Sequence, residues 1–171
     1  MITENSTSEE LIQEINDTFK QLVDMISMLD NNQINQVPYQ DSWTAGQLCN
    51  HVTKSTSGVA QVMKINGKLS DKNGSEKVIE LKNIFLNFSI KMKSPQEIIP
   101  DDGPFEKQNV INELSDCVKK LNENSKNTNL DEIIENLPFG SVTKYELLHF
   151  VLYHSQRHLR QLKRIYEAVI V

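Results

Sequence analysis

Residues 149–162 read HFVLYHSQRHLRQL and hold three of the chain's four histidines. His154 and His158 stand four apart. On a helix, four residues advance roughly 400°, so both rings leave one face, about 6 Å apart along the axis. Two imidazoles at that spacing can bind one metal ion, as helical HxxxH pairs do.

Their surroundings strengthen the metal reading. The stripe Leu147, Val151, His154, His158, Leu162, Ile165 is core-facing, and a polar group there needs a partner. A third histidine, His51, falls on the apolar stripe of another segment, Leu48, Val52, Ser55, Val59, Val62. Any one of these could be an ordinary satisfied core histidine. Two facing helices that supply three of them to one point make a divalent metal site of His51, His154 and His158. Three nitrogens leave coordination open for water or substrate, the arrangement of a catalytic site.

The neighbouring candidates fit less well. His149 lies five residues before His154 and points about 140° away, so it reads as a capping-side or surface residue and not a ligand. Cys49 is two residues from His51, on nearly the opposite face. No carboxylate sits on the His154/His158 stripe, so no catalytic acid or base and no cofactor-binding residue can be named. The chain's three arginines, Arg157, Arg160 and Arg164, lie close together. They read as a solvated basic face pairing with acids, or else as an anion-attracting rim beside the metal.

These residues need helices to position them. Three capping boxes announce helix starts: Thr7 with Glu10, Thr44 with Gln47, and Thr143 with Glu146. Trp43 is placed to staple onto Leu48. The apolar periodicity predicts main helices near 7–30, 43–66, 76–93 and 142–168, and a shorter one near 107–124. Gly67, Asn73 and Gly74 break the second from the third, and Pro95, Pro100 and Pro104 punctuate a loop. A short apolar piece at Ile133–Leu137 precedes the turn at Pro138 and Gly140. No strand-like alternation is long enough to compete. The expectation is an all-α four-helix bundle with one short accessory helix, forming a single domain over 1–171.

Composition agrees. Of 171 residues, 38% are hydrophobic and 24% charged, which suits a globular chain with one real core. A formal net charge of −5 argues against nucleic-acid or anionic-membrane partners. No apolar run approaches the roughly 20 residues of a membrane helix. The polar start MITENSTSEE reads as no signal or transit peptide, and two cysteines give no disulfide framework. A soluble cytoplasmic protein is expected.

Two blocks resemble a known family. The segments W-T-x-x-Q-L-x-x-H (Trp43 to His51) and Y-H-x-x-x-H-x-x-Q-L (Tyr153 to Leu162) are similar to those of the DinB/YfiT-like superfamily. The likeness implies a four-helix bundle with His51, His154 and His158 as ligands of a divalent ion, zinc or nickel. It also implies a homodimer. Characterised members are mostly transferases or isomerases dependent on low-molecular-weight thiols such as bacillithiol or mycothiol; others are described only as metal-dependent hydrolases. The resemblance therefore favours thiol-dependent S-transfer to a small electrophile, with hydrolysis or metal binding without turnover as the alternatives.

Overall fold

The computed structural model describes residues 7–69 and 74–171. Its frame is four long helices: α1 (Ser8–Ser27), α2 (Ala45–Val62), α4 (Lys107–Lys126) and α5 (Lys144–Val169). A short helix, α3 (Val78–Phe85), packs on α5. All three capping boxes form: the side chains of Thr7, Thr44 and Thr143 accept from the amides of Glu10, Gln47 and Glu146. Each satisfies amide donors that a helix start otherwise leaves without partners. Position 73, read as part of a helix break, and positions 1–6 lie outside the described residues.

α2 packs on α4 and α5, and α1 packs on the same two. The enclosed core takes one stripe from each helix: Leu11, Ile15, Phe19, Leu22 and Ile26 from α1, and Val110, Leu114, Cys117 and Leu121 from α4. Both cysteines are free and buried. Burial pushes the Cys117 thiol up to about 12 and the Cys49 thiol higher still, so neither supplies a thiolate near neutral pH. Among the described residues, no helix is long and apolar enough to cross a membrane.

The structure corrects the sequence expectation at two places. The roles of the third and fourth helices are exchanged. The segment expected to be helical over 76–93 stops at Phe85, while the one expected to be short runs 20 residues and is a bundle member. The apolar spacing continues to Phe88 and Met92, but local polar chemistry ends the helix first. Asn87 Oδ1 accepts from the Ser89 amide at 3.2 Å, a side-chain turn that competes with helix. The Arg157 guanidinium takes the carbonyls of Phe85, Asn87 and Ile90 at 3.1, 3.0 and 2.5 Å. Phe88 and Met92 stay 43% exposed.

The second correction is a small antiparallel sheet, in the order β1 (Lys68–Leu69), β2 (Glu132–Leu137), β3 (Gly140–Thr143). The apolar piece at 133–137 is thus a strand. Its alternation is interrupted by a register shift between Ile134 and Leu137, with Asn136 at φ 64°, so no clean period of two is visible in sequence. The sheet lies beside the start of α5 and leaves the bundle architecture intact.

Candidate metal centre

The site lies between α2 and α5. Its third wall is the long connection from α3 to α4, which crosses over the face of α2. Several contacts fasten that connection. Lys54 Nζ donates to the Ile99 carbonyl at 2.9 Å and pairs with Asp101 at 2.8 Å. Asn50 Oδ1 accepts from the Asp101 amide at 3.0 Å. At the far end, the Asn35 side chain both donates to the Phe105 carbonyl and accepts from its amide. Phe105 itself lies so close on α2 that a Cβ at Gly46 would meet its ring at 2.7 Å. A side chain at position 46 would push the connection away from the helix that carries His51.

Under this strap, the three predicted ligands converge. His51, His154 and His158 are 3%, 5% and 7% exposed. His154 Nε2 lies 3.1 Å from His51 Nε2 and 3.2 Å from His158 Nε2. Among the described residues, these three form the one group of His, Cys, Asp or Glu side chains arranged to hold a metal ion.

The outer nitrogens explain why the inner ones meet. His51 Nδ1 lies 2.7 Å from the Ile98 carbonyl oxygen, an acceptor only, so the proton sits on Nδ1 and Nε2 keeps its lone pair. His158 Nδ1 lies 3.0 Å from Gln161 Oε1 and takes the same tautomer. His154 is held by packing: its ring stacks on Phe150 with centroids 5.2 Å apart and meets Phe85 edge-on at 5.9 Å. Trp43 closes the group, 4.9 Å from the His51 ring and 6.5 Å from that of His158.

Burial sets the charge state. It lowers the pKa of all three imidazoles: His51 below its usual 6.5, His154 well below it, and His158 down to about 3. Secondary causes divide: neighbouring imidazoles and Arg157 lower His154 and His158 further, while the Ile98 carbonyl bonded to His51 and Gln161 bonded to His158 oppose the shift. His51 and His158 thus aim two lone pairs at His154 Nε2, which lies at hydrogen-bond distance from both and can donate a proton to either. With the His154 proton on Nδ1, all three rings offer lone pairs to one cation. Two ligands bound at about 2.0–2.1 Å around a tetrahedral ion stand roughly 3.3 Å apart, close to the separations found. The donor set fits a divalent metal.

The other residues singled out in the sequence fall elsewhere. His149 does not join the group, as expected, but it is fully buried and not at the surface. Its Nδ1 lies 3.2 Å from the Tyr153 hydroxyl, its Nε2 has no hydrogen-bond partner among the described residues, and burial lowers its pKa to about 4. The arginines are not paired with acids among the described residues. Arg157 is spent on three carbonyls, and Arg160 covers the Phe88 ring at 4.1 Å. Sequence reasoning missed Gln161, the Ile98 carbonyl and the part played by Trp43. Gln161 could have been found, because it stands one turn beyond His158. The carbonyl could not, because it arrives on a loop.

The architecture has a counterpart among solved structures. The crystal structure of TT2238, a four-helix bundle protein, superposes with a TM-score of 0.60 at 16% identity, over 92% of this chain and 98% of that one. At that identity the likeness concerns the fold. No curated protein matches the chain. The sequence model of the DinB superfamily matches residues 14–162, a span holding His51, His154, His158 and Gln161, and the chain belongs to that superfamily.

Proposed function

We propose that this chain is a divalent-metal-dependent enzyme in which His51, His154 and His158 ligate one zinc or nickel ion, and that it transfers a low-molecular-weight thiol to a small electrophile. The observation that carries the reading is the convergence of three buried Nε2 atoms at 3.1 and 3.2 Å. When bound, such an ion supplies Lewis acidity that lowers the pKa of a thiol or water beside it.

The chain's own groups do the rest. Burial keeps the imidazoles neutral, the state that ligation requires. Phe85, Phe150 and Trp43 surround the rings with aromatic surface and restrict water. No carboxylate joins the group among the described residues. That favours a thiol nucleophile, whose pKa of about 8.5 demands far less help from a general base than water at about 15.7.

The test is metal-loaded protein assayed with a panel of thiols against epoxides and activated halides. Thioether formation that disappears in His154→Ala supports the reading. Hydrolysis of the electrophile without thiol consumption would transfer the site to hydrolase chemistry, and full metal occupancy without turnover would leave a metal-binding bundle. The proposal includes a homodimer, which the family resemblance supports. Light scattering should give about twice the chain mass of 19.6 kDa, and a single-chain mass at micromolar concentration refutes it. It also includes a cytoplasmic location, in keeping with two free cysteines.

A further inference from the structure

The three histidines are oriented in three different ways, and one of them depends on a single replaceable side chain. His51 is fixed by a backbone carbonyl, that of Ile98, on the fastened strap. His154 is fixed by its sandwich between Phe150 and Phe85. Among the described residues, the outer nitrogen of His158 meets only the Gln161 side chain, 3.0 Å away and half-buried on the same helix.

We propose that Gln161 is a positioning residue, whose amide oxygen holds His158 in the Nδ1–H tautomer and so presents its Nε2 lone pair to the other two imidazoles. The inference rests on the metal reading above and adds to it the residue that prepares one ligand.

The physical reason is tautomer choice. A neutral imidazole carries its proton on either nitrogen, and the hydrogen bond at one decides which. With Gln161 Oε1 accepting at Nδ1, the proton is held outside. Without that acceptor, the proton can move to Nε2 and donate across the 3.2 Å gap to His154 Nε2, which consumes both lone pairs in one hydrogen bond. Binding an ion then requires breaking that bond and shifting the proton. Acceptors that orient ligating histidines in this way are worth about ten- to a hundredfold in metal affinity.

The tests use the full-length chain, with zinc alone as the probe, and three variants. Gln161→Met keeps the stem and removes the acceptor; it should weaken zinc binding by about ten- to a hundredfold in titration calorimetry. Gln161→Leu should do the same and guards against a folding failure in either variant. Gln161→Glu restores an acceptor that cannot donate, and it should bind zinc at least as tightly as the parent. The metal-free protein gives a second readout: nitrogen-15 shifts of His158 should show the Nδ1–H form in the parent and in Gln161→Glu, and a tautomer mixture in Gln161→Met. A purely structural Gln161 would lower the melting temperature without moving those shifts. Unchanged affinity in Gln161→Met overturns the proposal. So does an equal loss in Gln161→Glu, since the amide would then be donating to Nδ1. If the parent binds no zinc, the metal reading fails, and the nitrogen shifts alone decide whether Gln161 sets the tautomer.

Discussion

Helix α5 buries polar groups at its first residue and again in its middle, and the two places are built on opposite principles. Lys144, 1% exposed, has three ammonium protons and three acceptors: the Met63 carbonyl at 3.2 Å, Thr128 Oγ1 at 2.5 Å and Glu132 Oε2 at 2.5 Å. Its charge is countered and its donors are used, so it needs nothing further. The middle of the helix instead helps gather three imidazole Nε2 atoms that face each other, two of them with their lone pairs held inward. Evenly satisfied polar groups lock a structure, whereas a buried cluster with more acceptors than donors is suited to take up a cation. His149 supplies a third case: one nitrogen without a partner among the described residues, and no second imidazole or carboxylate set converging on it there. Burial of a histidine does not make a site; convergence does.

The contrast breaks most clearly at His158. His158→Ala should lower zinc affinity by more than the ten- to hundredfold typical of losing an outer partner, while circular dichroism stays helical. Lys144→Met should behave in the opposite way, with unchanged zinc affinity and a melting temperature lower by about 5 °C. If both variants lost metal and stability together, the division between a locked end and a receptive middle would not hold.

His149 sharpens the comparison through pH. Its folded pKa of about 4 lies below the ordinary 6.5, so on acidification the unfolded chain takes up the proton before the folded one does. Stability is therefore complete above pH 6.5 and declines as pH falls toward 4, by roughly 3 kcal/mol from this residue. His149→Leu should lessen that decline in denaturant titrations of metal-free protein and leave zinc affinity at neutral pH alone. A steep decline that persists unchanged in the variant would assign the acid sensitivity elsewhere.

How much of this was legible in sequence depended on range. The capping boxes, the stripes of α1 and α2, and the HxxxH face are set within a few residues, and all formed as their spacing dictates. His51 was placed opposite His154 because both sit on core stripes of helices that must face each other. The early end of α3 was not legible, because the group that takes its carbonyls, Arg157, lies 72 residues from Phe85. The strand at Glu132–Leu137 hid its period behind a bulge, and β1 offers only two residues. His149 was misjudged because a helical wheel relative to His154 gives direction but not what packs there; Tyr145, 4.8 Å away ring to ring, covers it.

The smallest expected effect concerns the strap. Arg157 directly precedes His158 on α5, and its guanidinium holds three carbonyls at the end of α3 and in the connection beyond it: Phe85, Asn87 and Ile90. A planar donor fork spans the helix end and the turn beyond it, adding to the backbone cap in which the Leu86 amide donates to the Lys82 carbonyl. Farther along, the same connection delivers the Ile98 carbonyl to His51, but there it is independently fastened by Lys54 and Asn50. The two halves should therefore separate. Arg157→Ala should speed amide exchange over 85–92 by about tenfold, the loss of a hydrogen-bonded restraint of about 1 kcal/mol or slightly more, and change zinc affinity by less than about threefold. Exchange that rises through Ile98 as well, together with a large loss of affinity, would mean that the strap moves as one piece and that the arginine belongs to the site after all.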